Sequence, residues 1–186
     1  MDSTLAEVIR DRIRSETRIT FREWMRLALY HPTLGYYNRA DVERWGRAGD
    51  YRTSPESSAL FATTFAHYFV ELYERMGRPD EFKIIEFGAG NGQFAYGVLK
   101  TLRNTYPSIF DVTKYSIVEV SGDSTTRAGE LLSTFADQVR FVDLGQLEET
   151  NAGIVFSNEL LDAFPVHRVK KISGALQELY VGLNAD

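Results

Sequence analysis

The chain has 186 residues, 44% hydrophobic and 25% charged, a globular composition long enough to bury a domain-sized core. Its formal charge of −5 argues against nonspecific adhesion to nucleic acid or an anionic membrane. The absence of cysteine excludes disulfides, thiolate metal sites and cysteine nucleophiles. No apolar run approaches the roughly 18 residues of a membrane span. The opening MDSTLAEVIRDRIRSE mixes acids and bases, unlike a secretory signal or an acid-poor transit peptide, so a cytoplasmic protein is expected.

Residues 4–16 place Leu5, Val8, Ile9 and Ile13 on one side of an amphipathic helix. Thr20-Phe21-Arg22-Glu23 has the form of a capping box opening a helix that runs to about Tyr30. His31-Pro32 ends it, because proline disfavours helical geometry in the residue before it. Residues 31–53, rich in Gly, Arg and aromatics, read as loop. Ser54-Pro55-Glu56 then carries the marks of a helix start, and Leu60, Phe61, Phe65, Tyr68, Phe69, Leu72 and Met76 continue at helical spacing until Gly77-Arg78-Pro79. Beyond residue 80 the period changes. Strand-like runs at 82–87, 114–119, 138–142 and 153–157 alternate with helical stretches at about 92–105 and 123–136, which predicts a parallel sheet with helices on its faces. Residues 104–113 read as a long loop, and 166–183 as a hairpin turning at Ser173-Gly174.

The run Phe82-Lys-Ile-Ile-Glu-Phe-Gly-Ala-Gly-Asn-Gly-Gln-Phe94 takes a strand through a glycine loop into a helix. Such a loop puts backbone N–H groups and a helix N-terminus at the C-terminal edge of the sheet, where open α/β folds bind ligands. Gly-x-Gly alone also fits a plain turn. The dinucleotide fingerprint G-x-G-x-x-G is broken by Gln93, and Glu86 before the glycines suits an ammonium or hydrogen-bond donors better than a pyrophosphate, so an NAD-dependent dehydrogenase is disfavoured. The spacing of Glu86, Gly88, Gly90 and Gly92 resembles the first motif of class I S-adenosylmethionine (SAM)-dependent methyltransferases, which implies SAM as cofactor. Glu119, at the end of the next strand, is placed to accept hydrogen bonds from ribose hydroxyls. As an ordinary strand-end acid it has a simpler reading. By the same resemblance Asp143 or Leu144 would lie near the adenine.

With "EWMRLALYHPTLGYY" (24–37), "GDYRTSPESSALFA" (49–62), "IEFGAGNGQFA" (85–95) and "IVFSNELLDAFPVHRV" (154–169) in order, the chain resembles the MidA-type methyltransferases. These are relatives of a mitochondrial protein that methylates an arginine on a complex I subunit and assists its assembly. The resemblance runs from about Ile19 to Leu183 and covers what looks like the N-terminal half of a family member. It implies an α/β fold with a Rossmann-like class I methyltransferase sheet that is incomplete. A helical lead-in and lid would occupy 1–80 and a SAM-binding domain 81–186. Apolar surface should be exposed at the sheet edge, where self-association is expected. The implied partner is a protein substrate such as a respiratory complex I-type subunit, with no nucleic acid and no membrane insertion.

The same resemblance makes the loop after the fourth strand the acceptor site, with Asn158, Glu159 and Asp162 as its polar groups. Glu159 and Asp162 are three apart and share a face if the segment starts a helix. Two carboxylates can hold an arginine acceptor by bidentate pairing and take its proton. Alternatively, Asn158 caps a helix, Glu159 favours its dipole and Asp162 sits in a tight turn. By the resemblance and the helix start at Ser54, the segment 49–55 is expected to fold over the cofactor pocket with Asp50, Thr53 and Ser54 near cofactor or acceptor. A structural loop with a helix cap is the equal alternative, and Tyr30, Tyr36 and Tyr37 are expected in lid packing. His31, His67 and His167 have no ligand-like spacing, and no metal is expected. The activity implied is methyl transfer to a protein arginine; the alternative is a non-catalytic binding or assembly module that retains the SAM fold.

Overall fold

A computed structural model describes residues 4–39, 59–149 and 152–184. The chain divides into two compact units, Met1–Val42 with Leu161–Asp186, and Glu43–Leu160. This division differs from the expected break near residue 80. The helix Ala59–Arg75 carries Ala62, Ala66, Phe69 and Tyr73 into the core beneath the sheet, so it belongs with the strands that follow it.

In the first unit, α1 (Leu5–Glu16) starts on a complete capping box between Thr4 and Glu7. The short strand β1 (Ile19–Thr20) leads into α2 (Phe21–Tyr30). Thr20 caps α2 through the Glu23 N–H at 3.1 Å, but the expected return bond is not formed. The Glu23 carboxylate instead makes a two-pronged pair with Arg26, at 2.8 and 2.7 Å, which a guanidinium fork favours over a single amide. At the other end of the chain, β6 (Val169–Ile172) and β7 (Ala175–Glu178) form the expected antiparallel hairpin, with Ser173 and Gly174 both at positive φ. Next, β8 (Tyr180–Val181) pairs antiparallel with β1. Ile13, Ile19 and Leu27, with Ile9, Trp24 and Val181 around them, make the small core. Tyr30 and Tyr37 pack ring to ring at 5.3 Å, and the Tyr30 hydroxyl donates to the Ala163 carbonyl at 3.1 Å.

The second unit holds the sheet. Its elements are α3 (Ala59–Arg75), β2 (Phe82–Phe87), α4 (Gln93–Thr105), α5 (Pro107–Val112), β3 (Thr113–Val118), α6 (Gly122–Leu131), β4 (Val139–Phe141) and β5 (Gly153–Ser157). All four strands are parallel, in the order β4-β3-β2-β5. Residues 107–112, expected as loop, are helical because Pro107 opens the turn and Ile109 has a buried place to fill. Helix α6 stops at Leu131, short of the expected 136. A 3₁₀ turn over Ser133–Phe135 then tucks Phe135 into the core.

Strand periodicity sorts the sheet's side chains to two faces. Phe82, Ile84, Tyr115, Ile117 and Ile154 face the helices and are buried. Phe65, Phe69, Phe94 and Phe156 meet there, with Phe94 stacked on Phe156 at 4.2 Å. The opposite face presents Lys83, Lys114, Ser116 and Arg140 around a depression of about 230 Å³, and Val155 is 70% exposed. No helix among the described residues is long and apolar enough to cross a membrane.

Candidate active site

Parallel pairing brings the C-terminal ends of β2, β3, β4 and β5 to one edge of the sheet. Every loop leaving that edge therefore starts from a common rim. The glycine loop, Glu119, Asp143-Leu144 and Asn158-Glu159 all follow strand ends there.

The glycine loop is built by backbone conformation. Gly88, Gly90 and Gly92 have φ of 68, 56 and 80°, a region that costs an L-residue strain. Gly92 also has no room for a side chain, since a Cβ there would lie 3.0 Å from the Cβ of Ala128 on α6. The Gly88 N–H donates to the Val118 carbonyl at 2.9 Å, tying the loop to the end of β3. Gly92 is the N-cap of α4 and supplies no side-chain cap. The rim thus presents main chain where a larger side chain would intrude.

Glu119 locks this geometry from the neighbouring strand. One carboxylate oxygen accepts from the Gly90 N–H at 3.1 Å, and the other from the Ser121 N–H at 2.9 Å. Each oxygen keeps a second lone pair for an outside donor. Ser121 in turn caps α6 through the Ser124 N–H. A part-buried carboxylate is therefore preorganised beside the bare loop. Two vicinal hydroxyls fit this donor-seeking group.

Glu86 is placed differently from an open ligand group. It lies on the helix-covered face, 4% exposed, and accepts the Tyr115 hydroxyl at 2.7 Å. Burial, with a smaller push from Glu119, raises its carboxyl to about 7, against the pull of the Tyr115 bond. Tyr115 escaped the sequence reading. Its signal was an aromatic hydroxyl inside the strand run Lys-Tyr-Ser-Ile-Val, two residues along the inward face from the level of Glu86.

Asp143 is exposed and caps a 3₁₀ turn at Leu144–Gln146, where Gln146 returns the bond. Leu144 is 67% exposed, available as an apolar surface. Asn158 is half-buried and Glu159 exposed, with Glu159 at φ 49°. The segment does not start the helix that would put Glu159 and Asp162 on one face. Only a 3₁₀ turn, Leu161–Ala163, forms, and Glu159 precedes it in a left-handed conformation. Asp162 belongs to the other compact unit. The expected lid residues Asp50, Thr53 and Ser54 lie outside the described residues.

A family model described as "Putative S-adenosyl-L-methionine-dependent methyltransferase" matches residues 64–186. The chain is 30% identical to the mitochondrial protein arginine methyltransferase NDUFAF7 homolog of Drosophila melanogaster, over 96% of this chain and 44% of that protein. It is 27% identical to the mitochondrial protein arginine methyltransferase NDUFAF7 of Mus musculus, over 93% and 44% of the two chains. A Burkholderia thailandensis protein solved with S-adenosyl-homocysteine bound matches at a TM-score of 0.78 and 33% identity, over 97% of this chain and 46% of that one. The chain thus spans about half the length of these relatives. With a parallel four-stranded sheet, a glycine loop held open at its rim and the family match across two-thirds of its length, the chain belongs to the family of putative S-adenosyl-L-methionine-dependent methyltransferases.

Proposed function

We propose that this chain carries the cofactor half of a SAM-dependent methyltransferase whose acceptor is a protein arginine. The observation that carries the reading is the bond between Glu119 and the Gly90 N–H. It fixes a hydroxyl-seeking carboxylate beside a loop that has glycine at every second position. That pair accounts for recognition of a ribose next to an amino-acid chain, the two parts that SAM joins. When bound, SAM supplies an already activated methyl group, so the protein's task is alignment and charge.

In this reading the glycine loop receives the methionyl end, Glu119 the ribose and Leu144 one side of the adenine. Asn158 and Glu159 stand at the same sheet edge on the acceptor side. An exposed carboxylate at Glu159 can pair with a guanidinium, which stays protonated at working pH, and accept its proton as the new C–N bond forms. The arginine acceptor is supported by the names of the relatives. A complex I-type subunit follows from the sequence resemblance. Calorimetric titration with SAM, S-adenosylhomocysteine and NADH tests the cofactor: micromolar binding of the first two alone is expected, and NADH binding without SAM overturns the reading.

A second reading, a non-catalytic binding or assembly module, draws on the sheet itself. Among the described residues it has four strands, with β5 at an edge and the β5 residue Val155 bare, as a surface awaiting a partner would have. Transfer of the tritium-labelled methyl of SAM to a candidate protein separates the two: label on arginine is expected for the enzyme, and cofactor binding without transfer for the module.

A further inference from the structure

Glu86 is the one carboxylate among the described residues that is buried in the core of the sheet. A carboxyl in such surroundings needs a reason, because burial disfavours its charged form. Its surroundings are specific. Across β3, the Tyr115 hydroxyl donates to it at 2.7 Å. Past the end of β3, Glu119 is, among the described residues, the like charge that acts on it, and it is bonded to the glycine loop through Gly90. Its register partner on β5 is Phe156. Among the described residues, the helices on this face pack uncharged rings against Phe156, Phe94 from α4 and Phe65 and Phe69 from α3. Tyr115 is itself pushed well above its ordinary range by burial and by Glu86, and stays protonated. Titration near neutral pH therefore belongs to Glu86, with Glu119 as its electrostatic link to the loop.

We infer that Glu86 is a positioning residue that reads the charge of the bound cofactor: it gives up its proton to solvent when a cationic cofactor occupies the rim, and takes one back when the neutral product remains. The inference rests on the functional reading above. SAM carries an ammonium, a carboxylate and a sulfonium, for a net charge of +1. Loss of the methyl group turns the sulfonium into a thioether and leaves S-adenosylhomocysteine neutral overall. Burial is the main reason Glu86 holds its proton and Glu119 adds a smaller push; a cation arriving at the Glu119 side offsets that push and favours the anion. Linkage is reciprocal, so ionising Glu86 must raise the preference for SAM over its product by the factor by which SAM favours ionisation more than the product does. With its carboxyl raised to about 7 by burial and by Glu119, the group is poised for this exchange. The consequence is product discrimination: as Glu86 regains its proton, the preference for a charged ligand falls.

The test is calorimetric titration of the 186-residue chain with SAM and with S-adenosylhomocysteine between about pH 5 and 8. The ratio of SAM to product affinity is expected to rise severalfold across neutrality. SAM binding should also release protons, seen as a dependence of the heat on buffer ionisation. Glu86→Gln should flatten both. Tyr115→Phe should keep the rise but move its midpoint upward, since the lost hydroxyl bond favours the anion. A flat ratio in the parent chain, or an unchanged rise in Glu86→Gln, overturns the inference while leaving the functional reading intact. Binding of neither ligand overturns both. Should Glu86→Gln fail to fold, carbon NMR of the parent decides: a Glu86 carboxyl titrating below about pH 5, as ordinary glutamates do, overturns the inference.

Discussion

Single residues at the rim divide into those that shape backbone and those that carry charge. Gly92 is the clearest of the first kind, with a left-handed φ and Ala128 3.0 Å from where a Cβ would stand. Gly92→Ala is expected to destabilise the chain by about 1–3 kcal/mol, read by chemical denaturation. Glu119 is of the second kind. Glu119→Ala should weaken SAM binding by roughly 1.5–3 kcal/mol, the range for hydrogen bonds to a charged group, and unchanged affinity would remove its ribose assignment. Glu86 adds a stability term with a definite sign. Its folded value, about 7, stands above the ordinary 4.5, so between these the native chain holds a proton that the unfolded chain has lost. Stability is full below about pH 4.5 and declines as pH rises to about 7, by on the order of 3 kcal/mol. Denaturation midpoints followed across that window should show the decline, and Glu86→Gln should remove it.

Among elements, the contact of α3 and α4 with the sheet carries the second unit. Phe94 is 2% exposed, stacked on Phe156 and in ring contact with Phe61, Phe65 and Phe69. Because α4 begins at the glycine loop, its anchoring also fixes the loop's exit. Phe94→Ala should cost about 3–5 kcal/mol in a denaturation experiment, since a buried ring leaves a cavity that rigid neighbours cannot close. A loss below about 1 kcal/mol would show that this cluster collapses freely. The hairpin β6–β7 is the contrasting element. Nearly all its residues are exposed, and its register depends on the positive φ at Ser173 and Gly174 more than on burial.

For the whole molecule, the decisive feature is an asymmetric sheet. One face is closed by helices, while the other, among the described residues, leaves Val155 largely bare beside the β5 edge. Exposed sheet surface of this kind recruits other strands or other copies. We expect concentration-dependent self-association in sedimentation velocity, reduced by Val155→Lys. Equal, purely monomeric behaviour of both proteins would show that this surface is inert.

Much of this was written locally in the sequence. Three glycines at alternate positions after an apolar strand can hardly mean anything but a backbone-lined turn, and strands alternating with helices imply parallel pairing. The strand at 153–157 and the hairpin at Ser173-Gly174 were equally legible, because period and turn chemistry act over a few residues. Other features were decided at a distance. The helicity of 107–112 depended on a buried place for Ile109, and the division of the chain on where α3 packed. The missing helix after Asn158 followed from the left-handed turn at Glu159. Above all, a glutamate at a strand end looks the same in sequence whether it faces ligand or core. Only the packing of β2 beside β3, which brought the Tyr115 hydroxyl to Glu86 and Glu119 to the Gly90 N–H, gave the two carboxylates their different environments. The sequence determined that there would be a bare loop with acids beside it. The tertiary structure decided which acid is buried and which is offered, because burial and partner distance are properties of packing and not of the residue.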